Sequence, residues 1–264
     1  LKTARRLADE KRLPLTVFTF FPQAQEMFDQ DFAYLASQEE KYKIFAEMGV
    51  DEVLSIPFDE KIAKVSPEDF ALHILAEQLD AQEIVVGFNY TFGYKGAGRA
   101  EQLQKWLGAR KIAVHIVPQY KVDGEIVSSS LIRQLLRQGE TEKAALLLGR
   151  AYSLSGEIIK GRQVGRTIGI PTANIAADAK ILLPKGGVYA AKAYLGARTF
   201  LGVLNIGRRP TVHNGNDTTI EVHLLDFNED IYGENLKVEF YRYLRGETKF
   251  NSLKELKAEI EHNI

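Results

Sequence analysis

The stretch Lys160-Gly161-Arg162-Gln163-Val164-Gly165-Arg166-Thr167-Ile168-Gly169-Ile170-Pro171-Thr172-Ala173-Asn174 gathers residue types suited to holding an anion beside a hard cation. Gly161, Gly165 and Gly169 let backbone amides turn inward toward a phosphate, and Arg162 and Arg166 carry charge that can neutralise one. Thr172 and Asn174 stand two residues apart, which puts two neutral oxygens on the same side of an extended segment. Completed by phosphate oxygens and water, such oxygens suit Mg2+. A barrel turn with arginines in solvent is the competing reading. A second segment, Thr219-Ile220-Glu221-Val222-His223-Leu224-Leu225, alternates as a strand does. Ile220, Val222 and Leu224 share one face, and Glu221, His223 and Leu225 the other. Glu221 is then either a solvated carboxylate or a general base for a hydroxyl attacking a γ-phosphate. Phosphoryl transfer asks little more of a protein than positioning, a metal and charge stabilisation. His223 either lines the same site or is structural.

Two kinds of element must position these residues. Residues 15–20, 52–56, 83–87 and 112–117 are short apolar runs, and helical patterns at 37–48 and from Ser66 to about Leu79 separate the first three. Pro67 stands at the first helical position behind Ser66. Strands apolar throughout and joined by helices predict a parallel sheet covered on both faces, hence a doubly wound, Rossmann-like α/β domain. Helices at 129–138 and 141–148 then close it. From Tyr152 the grammar changes to strand-like runs at 153–159, 187–194, 199–206, 219–225 and 236–244, punctuated by Gly186-Gly187, Asn214-Gly215 and Tyr232-Gly233. That pattern predicts a small antiparallel β-barrel, followed by a C-terminal helix over 252–260. The expected domains are residues 1–150 and 151–264.

Composition excludes several chemistries. Among 264 residues there is no cysteine, which removes disulfides, thiolate metal sites and cysteine nucleophiles and suits a reducing cytoplasm. A formal net charge of −1 gives no argument for a nucleic-acid or membrane partner. No apolar run approaches the roughly 18–20 residues that a membrane helix needs, so the expected location is cytoplasmic.

The motifs Gly165-Arg166-Thr167-Ile168-Gly169-Ile170-Pro171-Thr172-Ala173-Asn174, Asn205-Ile206-Gly207, Pro210-Thr211, Glu221-Val222-His223-Leu224-Leu225-Asp226-Phe227, Tyr232-Gly233 and Leu244-Arg245 together resemble the riboflavin kinase family, in order and spacing. The resemblance runs from about Tyr152 to the end. It implies a six-stranded barrel that moves the γ-phosphate of ATP to the 5′-hydroxyl of riboflavin. By position, Gly161 and Arg166 would contact ATP, Thr172 and Asn174 would hold Mg2+ and the phosphates of ATP, and Glu221 would be the base. Arg245 would lie near the flavin or serve as a surface charge.

The first domain resembles the nucleotidylyltransferase half of the bacterial bifunctional riboflavin kinase/FAD synthetases, which makes FAD from FMN and ATP. Val86-Gly87-Phe88-Asn89-Tyr90-Thr91-Phe92-Gly93 resembles that family's flavin-side loop, which implies flavin contacts from Asn89 and Phe92. Val127-Ser128-Ser129-Ser130-Leu131-Ile132-Arg133 resembles the hydroxyl-rich helix start that closes on ATP phosphates, implying ATP contacts from Ser128, Ser129, Ser130 and Arg133. A helix N-terminus carrying hydroxyls is a reasonable anion site. Thr19-Phe20-Phe21-Pro22 and residues 39–54 also fit the pattern. Departures stand beside these matches: Gln23 replaces a usual histidine, Ser130 a usual threonine, and the family's His-x-Gly-His signature would precede Leu1. The opening in mid-helix without methionine leads to the expectation of a segment upstream; a degraded adenylyltransferase domain is the other reading. The implied partners are small molecules: riboflavin, FMN and ATP, with FAD as product. The rival functions are a kinase with an inactive first domain and a non-enzymatic flavin-binding regulator. Retention of Thr172, Asn174 and Glu221 argues against the regulator, which would need neither metal ligands nor a base.

Overall fold

The computed structural model describes residues 1–29, 31–161, 171–210 and 216–247. It separates into two compact units, one of Leu1–Phe32 with Gln38–Lys121, the other of Ala33–Ser37 with Val122–Ile264.

In the first unit the apolar runs form β1 (Thr16–Phe20), β2 (Glu52–Ile56), β3 (Glu83–Gly87) and β4 (Ala113–Val117). Parallel neighbours need a crossover, usually helical. The main helices of this unit are α1 (Lys2–Lys11), α2 (Gln38–Glu47) and α3 (Ala100–Gly108). Helix α2 joins β1 to β2, and α3 lies between β3 and β4. Strands β1 and β2 pair in parallel with Phe18 opposite Leu54, and β3 and β4 pair in parallel with Val85 opposite His115. The single sheet expected from the sequence is thus present as two parallel pairs. Both pack on one core: Phe18 and Phe20 from β1, with Ile84 and Val86 from β3, lie against Phe70, Leu75, Leu103 and Leu107. Ser66 caps its helix by accepting from the Asp69 amide, with Pro67 at the first position as expected. After one α-helical turn, Phe70–Gln78 continues as a π-helix that brings Phe70, Ala71 and Leu75 into the core.

The second unit holds α4 (Ser129–Gln138), α5 (Thr141–Leu148) and six strands: β5 (Tyr152–Ile159), β6 (Ala173–Ala177), β7 (Gly187–Leu195), β8 (Arg198–Pro210), β9 (Asn216–Leu224) and β10 (Asn235–Arg245). They close into an antiparallel barrel in the order β6-β9-β8-β7-β10-β5. Tyr152, Tyr189, Leu204, Val222, Leu236 and Phe240 are fully buried, and the rings of Tyr189 and Phe240 meet edge to face at 5.1 Å. Ile220 and Leu224 are buried with Val222, which contributes about 1.5–3 kcal/mol per side chain relative to exposure. This apolar face sets the register of β9, because a slip of one residue would send Glu221 and His223 inward.

Strand β6 is not evident from the sequence. Its residues, Ala-Asn-Ile-Ala-Ala, are mostly weak strand formers, and β6 forms because β5 and β9 offer it a ladder on each side. Helices α4 and α5, which the sequence pattern places with the α/β domain, belong to the second compact unit in the structure. The helix expected over 252–260 lies outside the described residues.

Candidate active site

The barrel register aligns the chemistry. Asn174 of β6 pairs directly with Glu221 of β9, and Glu221 pairs on its other side with Asn205 of β8. Asn205 in turn stands opposite Val188, and Val188 opposite Arg245. Directly paired residues project from the same face with Cβ atoms about 4.5–5.5 Å apart. Asn174, Glu221 and Asn205 therefore form a polar row on the outer wall, each half-buried, while Ile220 and Val222 fill the interior. The row contains one carboxylate flanked by two amides. Arg245 stands at the same level, three strand steps from Glu221, or about 14 Å along the wall. Its Nη1 donates to the carbonyl of Gly246 at 3.1 Å.

Gly161 lies directly against the side chain of Asn174. A Cβ there would lie 2.3 Å from Nδ2 of Asn174, so the bare backbone closes over the Asn174 amide. This places Gly161 against the same row that carries Glu221. Thr172, just ahead of β6, lines a cavity of about 610 Å³ together with His223, Val222 and Leu224. Asp226, Asp230 and Tyr232 stand on its other side. That wall is held in place: Arg198 grips Glu229 through Nη1 at 2.7 and 2.9 Å and lies over the rings of Phe200 and Phe227. The Arg198 guanidinium holds the Glu229 carboxyl below the usual carboxylate range.

Thr172 and Asn174 supply neutral oxygens, a hydroxyl and an amide carbonyl, and Glu221 lies next to Asn174. Among the described residues no cluster of three or more His, Asp or Glu side chains could cage a metal by itself. A donor set of this kind fits a hard cation that keeps waters and substrate phosphates as its remaining ligands. Arg166, expected at ATP, lies outside the described residues.

The remaining residues singled out in the sequence divide between the two units. In the first, Asn89 is exposed in the turn after β3. Phe92 is 5% exposed, tilted against Phe70 at 5.6 Å, stacked on Tyr90 at 5.6 Å and edge-on to Trp106 at 6.4 Å. The ring is thus enclosed on three sides by other aromatic rings. Burial also pushes the Tyr90 hydroxyl up to about 12. In the second unit, the Ser128 hydroxyl accepts from the Leu131 amide and caps α4, with Ser129 and Ser130 exposed in its first turn. Arg133 turns its Nε to the carbonyl of Ala33 at 2.9 Å, which fixes the guanidinium to the backbone of its own unit.

Two residues of the barrel wall were underweighted by sequence alone. Asn205 carried a signal in its alternation with buried Leu204 and Ile206, but its neighbour across the strand gap is a matter of register. His223 was visible on the Glu221 face without any indication of its hydrogen-bond partner.

A carboxylate, two amides and a hydroxyl beside a cavity have the chemistry to bind a phosphorylated ligand and to accept a proton. Comparison with known proteins gives the class more closely. A riboflavin kinase family model matches residues 148–264 and an FAD synthetase model matches residues 1–131. The bifunctional riboflavin kinase/FMN adenylyltransferase of Listeria monocytogenes is 36% identical over 264 residues, covering 99% of this chain and 83% of its own. That of Escherichia coli K12 is 37% identical over 254 residues, covering 95% of this chain and 80% of its own. A crystal structure described as a macrolide-efflux protein from Streptococcus pneumoniae matches with a TM-score of 0.90 at 30% identity, over 99% of this chain and 85% of that one. Among the described residues here, no helix is long and apolar enough to cross a membrane. The chain belongs to the bifunctional riboflavin kinase/FMN adenylyltransferase family.

Proposed function

We propose that the chain transfers the γ-phosphate of ATP to the 5′-hydroxyl of riboflavin to give FMN, and then adenylylates FMN with a second ATP to give FAD. The observation that carries the kinase half is the direct register pairing of Asn174 with Glu221, closed over by Gly161. Glu221 accepts the proton of the attacking hydroxyl, and Gly161 packs tightly enough on Asn174 to keep its amide in place. Thr172 and Asn174 would hold Mg2+, which when bound neutralises phosphate charge and orients the γ-phosphate. The cavity beside Thr172 takes the nucleotide, with the carboxylates that line it accepting from amino or hydroxyl groups. Arg166 contacts the nucleotide, and Arg245, further along the same row, lies toward the flavin. For the adenylyl half, the family resemblance assigns flavin contacts to Asn89 and Phe92 in the first unit and ATP contacts to Ser128, Ser129, Ser130 and Arg133 in the second. We place this work in the cytoplasm, with small molecules as the only partners of the reading.

The test is incubation of the protein with riboflavin, ATP and Mg2+, followed by chromatographic separation of riboflavin, FMN and FAD. Both FMN and FAD are expected. FMN alone would remove the adenylyltransferase assignment, and neither product would remove the kinase.

A further inference from the structure

The outer face of β9 carries a second polar residue that the roles above leave unused. His223 follows Glu221 by two residues and so emerges on the same side of the strand. Its Nδ1 lies 2.8 Å from the carbonyl oxygen of Pro171. Pairing of β6 with β9 begins at Ala173 opposite Val222. Pro171 stands two residues ahead of that pair and has no N–H with which to extend the ladder. Its carbonyl still requires a donor, and the imidazole supplies one. A carbonyl can only accept, so Nδ1 carries the proton, and in the neutral ring Nε2 is left as an acceptor. The bond holds the peptide unit between Pro171 and Thr172, and that unit sets the direction in which Thr172 leaves the chain. Pro171, Thr172 and His223 all line the same cavity.

We infer that His223 is a positioning residue: through the Pro171 carbonyl it fixes the peptide leading into Thr172, and so presents Thr172 and Asn174 to the magnesium-nucleotide. The inference rests on the roles proposed above for Thr172 and Asn174. It makes the entry to β6, and not only its side chains, part of nucleotide binding.

Steady-state kinase assays on the full chain test it, with Mg-ATP titrated at saturating riboflavin for His223→Ala, His223→Asn, His223→Gln and Thr172→Ala. An asparagine amide reaches where Nδ1 stands, whereas a glutamine amide reaches where Nε2 stands. Loss of one neutral hydrogen bond should raise the KM for Mg-ATP about five- to tenfold in His223→Ala and His223→Gln. His223→Asn should return it to the wild-type value, and the KM for riboflavin should not move in any of the three. A residue with only a structural role would lower the melting temperature without this split between Asn and Gln. Should His223→Ala fail to fold, the Asn and Gln variants alone decide the matter. An unchanged Mg-ATP KM in His223→Gln, or an Asn variant as impaired as the Gln variant, overturns the inference. If Thr172→Ala raises the KM while the His223 variants do not, only His223 loses its role. If Thr172→Ala is itself normal, the assignment of Thr172 falls and the positioning role falls with it.

Discussion

Glu221 differs from an ordinary surface glutamate in its neighbours. It has Asn174 on one side and Asn205 on the other, both paired with it across strand gaps, and it stands on a wall whose reverse side is the apolar core. In the role proposed for it, Glu221 acts on the transition state more than on the bound substrates. Glu221→Gln keeps the shape and hydrogen-bonding reach of the side chain but cannot take up the proton. FMN formation should fall by about 10²–10⁴ in kcat while the KM for Mg-ATP changes little. Near-normal turnover in a riboflavin-dependent assay would show that the hydroxyl is deprotonated elsewhere. Gly161 illustrates a different constraint at the same scale. A Cβ there would come within 2.3 Å of the Asn174 amide, so a larger residue would have to displace that side chain.

At the scale of elements, the first unit depends on how α1 is tied to the start of β1. Asp51 accepts the Leu15 amide at 2.7 Å and Nη1 of Arg5 at 2.7 Å, so one carboxylate joins the helix, the strand and the turn before β2. The Leu15 amide first, and Arg5 second, hold its carboxyl below the usual range. A carboxyl depressed on folding contributes stability that is fully present above its unfolded value of about 3.9 and is lost as pH falls through the folded value. Asp51→Asn should therefore melt at a lower temperature than wild type at neutral pH, and the gap should close as pH is lowered from about 4 toward 3. A gap independent of pH would mean that shape, not charge, is what the contact supplies. The elements legible in the sequence were those whose periodicity is set by burial: β1 to β4 and most barrel strands. Strand β6 was not, because two neighbours impose a strand on residues that do not favour one.

At the scale of the molecule, a short stretch of the early chain packs with the barrel. Ala33–Ser37 belongs to the second compact unit although it precedes most of the first. Tyr34 donates its amide to the Lys180 carbonyl at 2.8 Å and accepts from the Leu182 amide at 2.9 Å, in a short parallel bridge to Ile181. Its side chain is 8% exposed. Truncating a buried aromatic costs about 3–5 kcal/mol, so Tyr34→Ala should destabilise the barrel by about that amount. Denaturant unfolding followed through FMN formation would measure it, and unchanged barrel stability would return the segment to the first unit.

The sequence by itself determined the α/β and barrel halves, the alternation that puts Glu221 outward and Val222 inward, and the motifs that mark the family, because each is written in local residue order. Local order does not show that Phe70, Tyr90 and Trp106 enclose the ring of Phe92. Tertiary structure decided what lies across the strand gaps: Asn174 and Asn205 on either side of Glu221, Gly161 against Asn174, and the imidazole of His223 on the Pro171 carbonyl 52 residues away. Those relations depend on register and barrel closure, which follow from burying one face of every strand together and which no single segment encodes.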